Sequence, residues 1–538
     1  MSTNYPVVII GAGPVGLATG AHLAERKQDF RILEAGSNAG AAMSSWGHIK
    51  LFSSWQYNID AAARRLLETT TATYPGDWEA PRETRLPTGA EMVSEYLEPL
   101  ASHPELAPKI SYGHRVTQIS RIQPNGLGAD KTRSADRAEA LFLVRTETAT
   151  GTEDMLARAV IDASGTFSTP NPVGRSGIEA IGESKARAAG FITSPLPDPL
   201  GVDTEAFAGK TILVLGAGHS AANTLISLGR LRRQHPETQI FWGLRGVANP
   251  VRLYGGGAAD ELPARGQLGT SLRRLVENND ITLLENVAVT SMDSQDRLNL
   301  KLADGRSLVV DFVVPATGFR PGLSILSELR LDMDQIVEAP SALGPLIDPE
   351  FHSCGTVSAH GERELSHPEP GFYIVGMKSY GRAPTFLMAT GYEQVRSIAA
   401  ALAGDRAAAD RVELQLPETG VCSTDLAGSC DAPAGDAVSS CGIPEVTSTT
   451  EDSCCGTQVA SVQESSSCST PQPAVAQAAS CGTPEAEASS CGTPEPPASA
   501  EPPASAESSC CGTPEPVMIG FATGTLHGHQ ELVNEDVK

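Results

Sequence analysis

The sequence predicts an α/β protein with two Rossmann-like domains in one folded body, the second inserted in the first, followed by a disordered cysteine-rich tail. Three observations point there. An apolar strand running into a glycine turn and a small-residue helix occurs twice, beginning at Tyr5 and at Lys210. A further apolar strand and a helix, within 371–404, follow the second copy and close the first domain. The composition then breaks: from Val412 onward there are 18 acidic residues against one basic residue, Lys538, so this stretch carries −17 of the chain's −24. The expected divisions are 1–205, 206–322 and 323–411 for the body, 412–515 for the tail, and 516–538 for a segment that regains apolar residues and could dock.

In the first copy, "YPVVIIGAGPVGLATGAHLAERKQDFRILEAG", the run Val7–Ile10 reads as a buried strand. It leads into Gly11-x-Gly13-x-x-Gly16, and the next strand, "FRILE", ends in Glu34, 18 residues after Gly16. Gly11 permits a tight turn, Gly13 lets backbone approach a pyrophosphate, and Gly16 lets helix and strand pack closely. The helix N-terminus then faces phosphates, and Glu34 is placed to accept hydrogen bonds from ribose hydroxyls. This pattern reads as a dinucleotide site, the alternative being a bare strand–turn–helix.

The second copy, "KTILVLGAGHSAANTLISLGRL", has Gly216, Gly218 and Ala221 at the glycine positions, with His219 and Ser220 lining the turn. Its following strand reaches Arg245 where the first copy has its acid, and an arginine there suits a 2′-phosphate. A solvent-exposed strand-end arginine is the other reading. Two sites imply two dinucleotides, one a hydride donor and one a tightly held acceptor. Chain order suggests FAD on the first and NADPH on the second. Each unit is followed by a strand ending in a small-residue turn, at Ser164-Gly165 and Thr317-Gly318, where backbone can pass close to a ligand or to the other domain. Gly376, in "GFYIVGMKS", is expected where backbone can approach a flavin.

The body resembles the two-dinucleotide-domain flavoproteins, and within them the flavin-containing monooxygenases. The residues that carry the resemblance are Gly11, Gly13 and Gly16 with Glu34, the "GAGHSA" phrase, the two small turns, and Trp46 soon after the first acid. More narrowly, "WGHIKLFSSWQYNID", "GHSAANTLISLGRL" and the cysteine tail look like the flavin-binding monooxygenases encoded in arsenic-resistance operons. The resemblance implies FAD, NADPH and molecular oxygen acting on a small soft substrate such as trivalent arsenic. It also implies Asn58 as the catalytic hydrogen-bond donor, with Trp46, Ser53, Ser54, Trp55 and Tyr57 around it. The competing reading is that this stretch simply packs against the first domain. The family's FxGxxxHxxx(Y/F) phrase is missing, its place being taken by "AAGFITSPLPDPLG". His48 and His360 take no role.

Of eleven cysteines, ten lie beyond Val412 and only Cys354 lies in the body, so a dithiol built into the body beside the flavin is excluded. The tail thiols stand 8 to 19 residues apart, except for the adjacent pairs Cys454–Cys455 and Cys510–Cys511. Structural zinc wants closer knuckles, but soft thiolates on a flexible chain suit soft ions, which makes these two pairs candidate metalloid ligands. The alternatives to a monooxygenase are an NADPH-dependent thiol, disulfide or metal-ion reductase relaying electrons through the tail pairs, and a metalloid-binding protein. Acidity argues against nucleic acid and anionic membranes as partners. No run of about 18 apolar residues occurs, and the first residues lack a signal-peptide pattern, so a cytoplasmic location is expected.

Overall fold

The computed structural model describes residues 5–69, 77–123, 125–129, 131, 136–249, 253–254, 263–352 and 357–414. These fall within one compact unit. Cys354, Cys454, Cys455, Cys510, Cys511 and the segment 516–538 lie outside the described residues, as does the tail from 415 onward.

The chain enters on β1 (Val7–Ile10), turns into α1 (Pro14–Glu25) and returns as β2 (Phe30–Leu33). Every residue of β1 is buried, as expected of a β-branched strand flanked on both sides in a parallel sheet. Pro14 opens α1, where its missing N–H costs nothing and its fixed φ suits a first turn. After α2 (Ala61–Glu68) comes β3 (Ile110–Ser111). An antiparallel excursion, β4 (Arg115–Ile122), β5 (Leu141–Thr148) and β6 (Gly151–Ala157), precedes β7 (Ala159–Asp162), which pairs with β1 in parallel.

The second domain runs β8 (Thr211–Leu215), α3 (His219–Gln234), β9 (Gln239–Gly243), α4 (Pro263–Glu277) and β10 (Thr282–Leu284). A second antiparallel trio, β11 (Val289–Ser294), β12 (Leu298–Leu302) and β13 (Ser307–Val310), leads to β14 (Phe312–Pro315). Finally β15 (Phe372–Ile374) and α5 (Met388–Leu402) return to the first domain. The first sheet is ordered β15-β7-β1-β2-β3 and the second β10-β9-β8-β14. The second domain is therefore inserted between β7 and β15 of the first.

In both sheets the opening strand has its sequential neighbour on one side and a later strand on the other. That reversal leaves a crevice at the carboxyl ends of the strands, between β1 and β7 and between β8 and β14, where α/β sheets bind ligands. Both glycine turns sit at these points.

The sequence reading opened the second domain at 206. Packing draws earlier residues into it: Val173, Ala180, Ala186 and Ile192 share a core with Leu213, Leu215, Val289 and Val313. Ile192 also bridges in parallel to Val313 of β14. Residues 169–171 and 317–320 run past one another as the two connecting strands. The Asn171 N–H donates to the Gly318 carbonyl at 2.8 Å, the Thr317 hydroxyl donates to the Asn171 carbonyl at 2.7 Å, and Pro170 bridges to Phe319.

Candidate cofactor and substrate site

The first glycine turn has the geometry its spacing implies. Gly11 has φ 100°, open to glycine and strained for other residues, and a Cβ there would lie 2.9 Å from the Ala163 carbonyl oxygen. A Cβ on Gly16 would lie 2.0 Å from the Gly11 carbonyl oxygen, so helix and turn touch through bare backbone. Gly13 is different, because a Cβ there would meet nothing within 4 Å. It faces open space at the N-cap of α1, the place for a pyrophosphate. Glu34 stands just beyond β2. Its carboxylate accepts the Ala12 N–H and the Gly36 N–H, each at 2.7 Å, which ties the acid to the glycine turn itself.

The second turn repeats the pattern. Gly216 has φ 135°, and a Cβ on it would lie 2.0 Å from the Ala316 carbonyl oxygen, whereas Gly218 has nothing within 4 Å. Ala221, at the third position, is fully buried. Arg245 is exposed just after β9. Both cradles have their ligand-facing glycine free and their packing glycines filled, which is the fit that bound dinucleotides require.

One cleft of about 270 Å3 touches both domains. Its walls are Ile49–Ser53 and Phe386–Met388 from the first domain, Leu196 from the connection, and His219, Ser220 and Asn223 from the start of α3. Phe386 leads back to the first turn, since its ring and Val15 of α1 both press on Gly391. The surroundings are mainly apolar, with Lys50 exposed at the rim.

Of the residues expected around Asn58, Ser53 lines this cleft and holds the asparagine. The Ser53 hydroxyl donates to Asn58 Oδ1 and Asn58 Nδ2 donates to the Ser53 carbonyl, both at 2.8 Å. Asn58 is buried, and its carbonyl accepts the Tyr392 hydroxyl at 2.7 Å. Asp60 caps α2 by accepting the Ala63 N–H and stands 3.0 Å from His22 of α1. The stretch 53–60 is thus clamped onto the first domain, and the packing reading of it holds alongside any chemical one. Trp55 is fully buried, with the Arg85 guanidinium 5.5 Å from its ring centroid. Trp46 packs on Gly89, where a Cβ would come within 2.9 Å of its ring. Neither tryptophan lines the cleft, and His48 is exposed away from it.

Gly376 is buried with φ 67°, close against Val15. Its N–H is occupied by Gln394 Oε1 at 2.8 Å. Gln394 Nε2 in turn contacts the Ser379 hydroxyl at 2.9 Å and His360 Nε2 at 2.8 Å. Burial lowers the His360 pKa below the ordinary 6.5, with the Ser358 carbonyl opposing weakly, so the ring is a neutral structural partner. Among the described residues no group of three or more His, Cys, Asp or Glu could hold a metal ion. No helix among them is long and apolar enough to cross a membrane.

Sequence reasoning missed the buried pair Lys378–Asp162. Lys378 Nζ lies 2.6 Å from Asp162 Oδ2 and 3.1 Å from the Ser164 hydroxyl, at the carboxyl end of β7. Asp162 was visible inside an apolar run, "AVID", where a charge is out of place. Its lysine partner is 216 residues away, and no local pattern connects them.

Comparisons with known proteins agree with this geometry. Residues 8–234 match the pyridine nucleotide-disulphide oxidoreductase family, a span that takes in the first site and the second glycine turn. The indole-3-pyruvate monooxygenase YUCCA6 of Arabidopsis thaliana is 28% identical over 221 residues, covering 41% of this chain and 44% of that protein. The chain therefore spans less than half the length of this curated relative. Among solved structures, the bacillithiol disulfide reductase Bdr of Bacillus cereus superposes with a TM-score of 0.52 at 18% identity, covering 74% of this chain and 99% of that one. The corresponding reductase of Staphylococcus aureus gives 0.50 at 16% identity, covering 75% and 99%. The likeness to these two is one of fold. The matched region, the shared fold and the paired glycine turns agree in a pyridine-nucleotide oxidoreductase architecture with two dinucleotide-type domains.

Proposed function

We propose that the protein is an NADPH- and oxygen-consuming monooxygenase that oxidises a small soft substrate, trivalent arsenic being the candidate, and so serves metalloid detoxification. The observation that carries this reading is a mainly apolar cleft whose walls bring Ser53 and Phe386–Met388 of the first domain together with His219 and Ser220 at the start of the second nucleotide helix. A reductant on one domain and an acceptor on the other can meet only across such a space. Its mainly apolar walls would limit water at the reacting centre once both cofactors are bound.

In this reading Gly13 and Glu34 receive FAD, while Gly218 and Arg245 receive NADPH. FAD supplies the redox chemistry, two-electron uptake from NADPH and activation of oxygen. The chain's own residues orient and exclude. Glu34 is fixed by two backbone N–H groups before any ribose arrives. Asn58, bracketed by Ser53, presents a preorganised amide beside the cleft. The products balance as one oxygen atom on the arsenic centre, raised from the trivalent to the pentavalent state, and the other in water, with NADPH supplying two electrons. Cys454, Cys455, Cys510 and Cys511 would gather the soft ion as thiolates.

The test is NADPH oxidation by the purified yellow protein, with and without oxygen and with and without arsenite. Oxidation that needs oxygen and is accelerated by arsenite, with arsenate as product, supports the reading. Anaerobic disulfide or metal-ion reduction that disappears in C510S/C511S would establish a reductase instead.

A further inference from the structure

The Lys378–Asp162 pair lies where the fold puts ligands. Asp162 ends β7, the strand paired with β1, and pairs with Ile10, the residue before Gly11. A Cβ on Gly11 would touch Ala163 and Ser164, so the turn that carries Asp162 and Ser164 leans directly on the first glycine cradle. Both charged side chains are essentially without solvent exposure, 2% for Lys378 and 0% for Asp162. Removing such a pair from water is expensive, and apolar residues of similar volume serve a core equally well, so its presence calls for a reason.

The hydrogen-bond inventory supplies one. An ammonium has three N–H donors. Lys378 directs one to Asp162 Oδ2 and one to Ser164 Oγ, and the third has no partner among the described residues. Asp162 is fully engaged in holding this arrangement, since its Oδ1 also accepts the Ser164 hydroxyl at 2.6 Å and the Ser164 N–H at 3.1 Å. The lysine is rigid as well. It sits in the turn Gly376–Tyr380, pinned by Gln394 on the Gly376 N–H and by the Ser379 hydroxyl on the Gly376 carbonyl. A cation with one donor to spare, on a fixed turn beside a dinucleotide cradle, is preorganised for an acceptor on that dinucleotide.

We propose that Lys378 is a cofactor-contacting residue whose remaining N–H donates to an oxygen of FAD bound at the Gly11–Gly16 turn, with Asp162 and Ser164 orienting it. The inference rests on FAD occupying the first site.

The test is fluorescence titration of the flavin-stripped full chain with FAD, comparing wild type with D162N/K378M, which leaves no unpaired buried charge. Circular dichroism and thermal melting of the same samples report folding. The expected result is a folded double variant with FAD affinity weaker by about ten- to a hundredfold, the range for one charge-assisted hydrogen bond. D162N/K378Q keeps a hydrogen-bonded neutral pair of similar shape should the methionine fail to pack, and the same loss is expected of it. FAD affinity within twofold of wild type in either folded variant overturns the proposal. A wild type that refuses FAD would instead overturn the functional reading beneath it.

Discussion

The rings of Phe52 and His219 stand 4.9 Å apart, tilted by 55°, and join the two domains in the wall of the cleft. Phe52 belongs to the loop leading to Asn58, and His219 is the first residue of the second nucleotide helix. Such an aromatic contact contributes about 0.5–1.5 kcal/mol beyond area burial. Both rings line the cleft, and in the proposed monooxygenase they would screen its interior from solvent. F52A should therefore leave both nucleotide sites assembled but admit water. We expect hydrogen peroxide released per NADPH oxidised to rise severalfold; an unchanged peroxide yield would show that Phe52 does not guard the cleft.

The glycines divide into two mechanical kinds, and substitution should separate them. Gly216 adjoins the Ala316 carbonyl and holds φ 135°, so G216A forces backbone apart and should lower the melting temperature. Gly218 has free space where a side chain would go, so G218V should fold normally and retain FAD while its KM for NADPH climbs tenfold or more, roughly the loss of one good contact. Equal melting temperatures for the two variants would contradict this division.

Arg245 is exposed just past β9. If it receives the 2′-phosphate, R245A should raise the KM for NADPH by about ten- to a hundredfold, as expected for a lost charge-assisted hydrogen bond. The KM for NADH should barely move. Parallel changes with both coenzymes would return Arg245 to the status of a solvated strand-end charge.

His367 offers a pH prediction. Burial pulls its pKa from 6.5 down to about 4, partly opposed by the Asp332 carboxylate. Nδ1 accepts the Asp332 N–H at 3.3 Å, and Nε2 is buried without a hydrogen-bond partner. Because the folded pKa lies below the unfolded one, the unfolded chain takes up the proton first. The associated stability is complete above about pH 6.5 and erodes as pH falls toward 4. H367N keeps an acceptor for the Asp332 N–H but cannot titrate. Its melting temperature should fall less between pH 7 and 4.5 than that of wild type, and parallel curves would refute the assignment.

Much of this was legible in the linear chain because the governing constraints are local. Gly11, Gly13 and Gly16 are spaced by the geometry of one turn and one helix, and Glu34 lies one strand further on, so a window of about thirty residues carries the motif. The turn formed by Gly216, Gly218 and Ala221 was readable for the same reason. The tryptophans were not. Trp46 and Trp55 look like site residues in sequence, whereas Trp55 lies in the first core and Trp46 packs against it, contacts that no local spacing encodes.

The linear chain thus carries the two strand–glycine turn–helix units, the insertion of one domain in the other, and the place where an apolar body gives way to an acidic composition. Each follows from short-range periodicity or bulk composition. Folding alone shows which residues meet across the chain: Phe386 and Ser53 with His219 around one cleft, Lys378 with Asp162, and the segment from Val173 with the second core. The physical reason is that burial and ion pairing depend on distance in space. Strand order alone brings β15 beside β7, and no spacing in the sequence encodes that order.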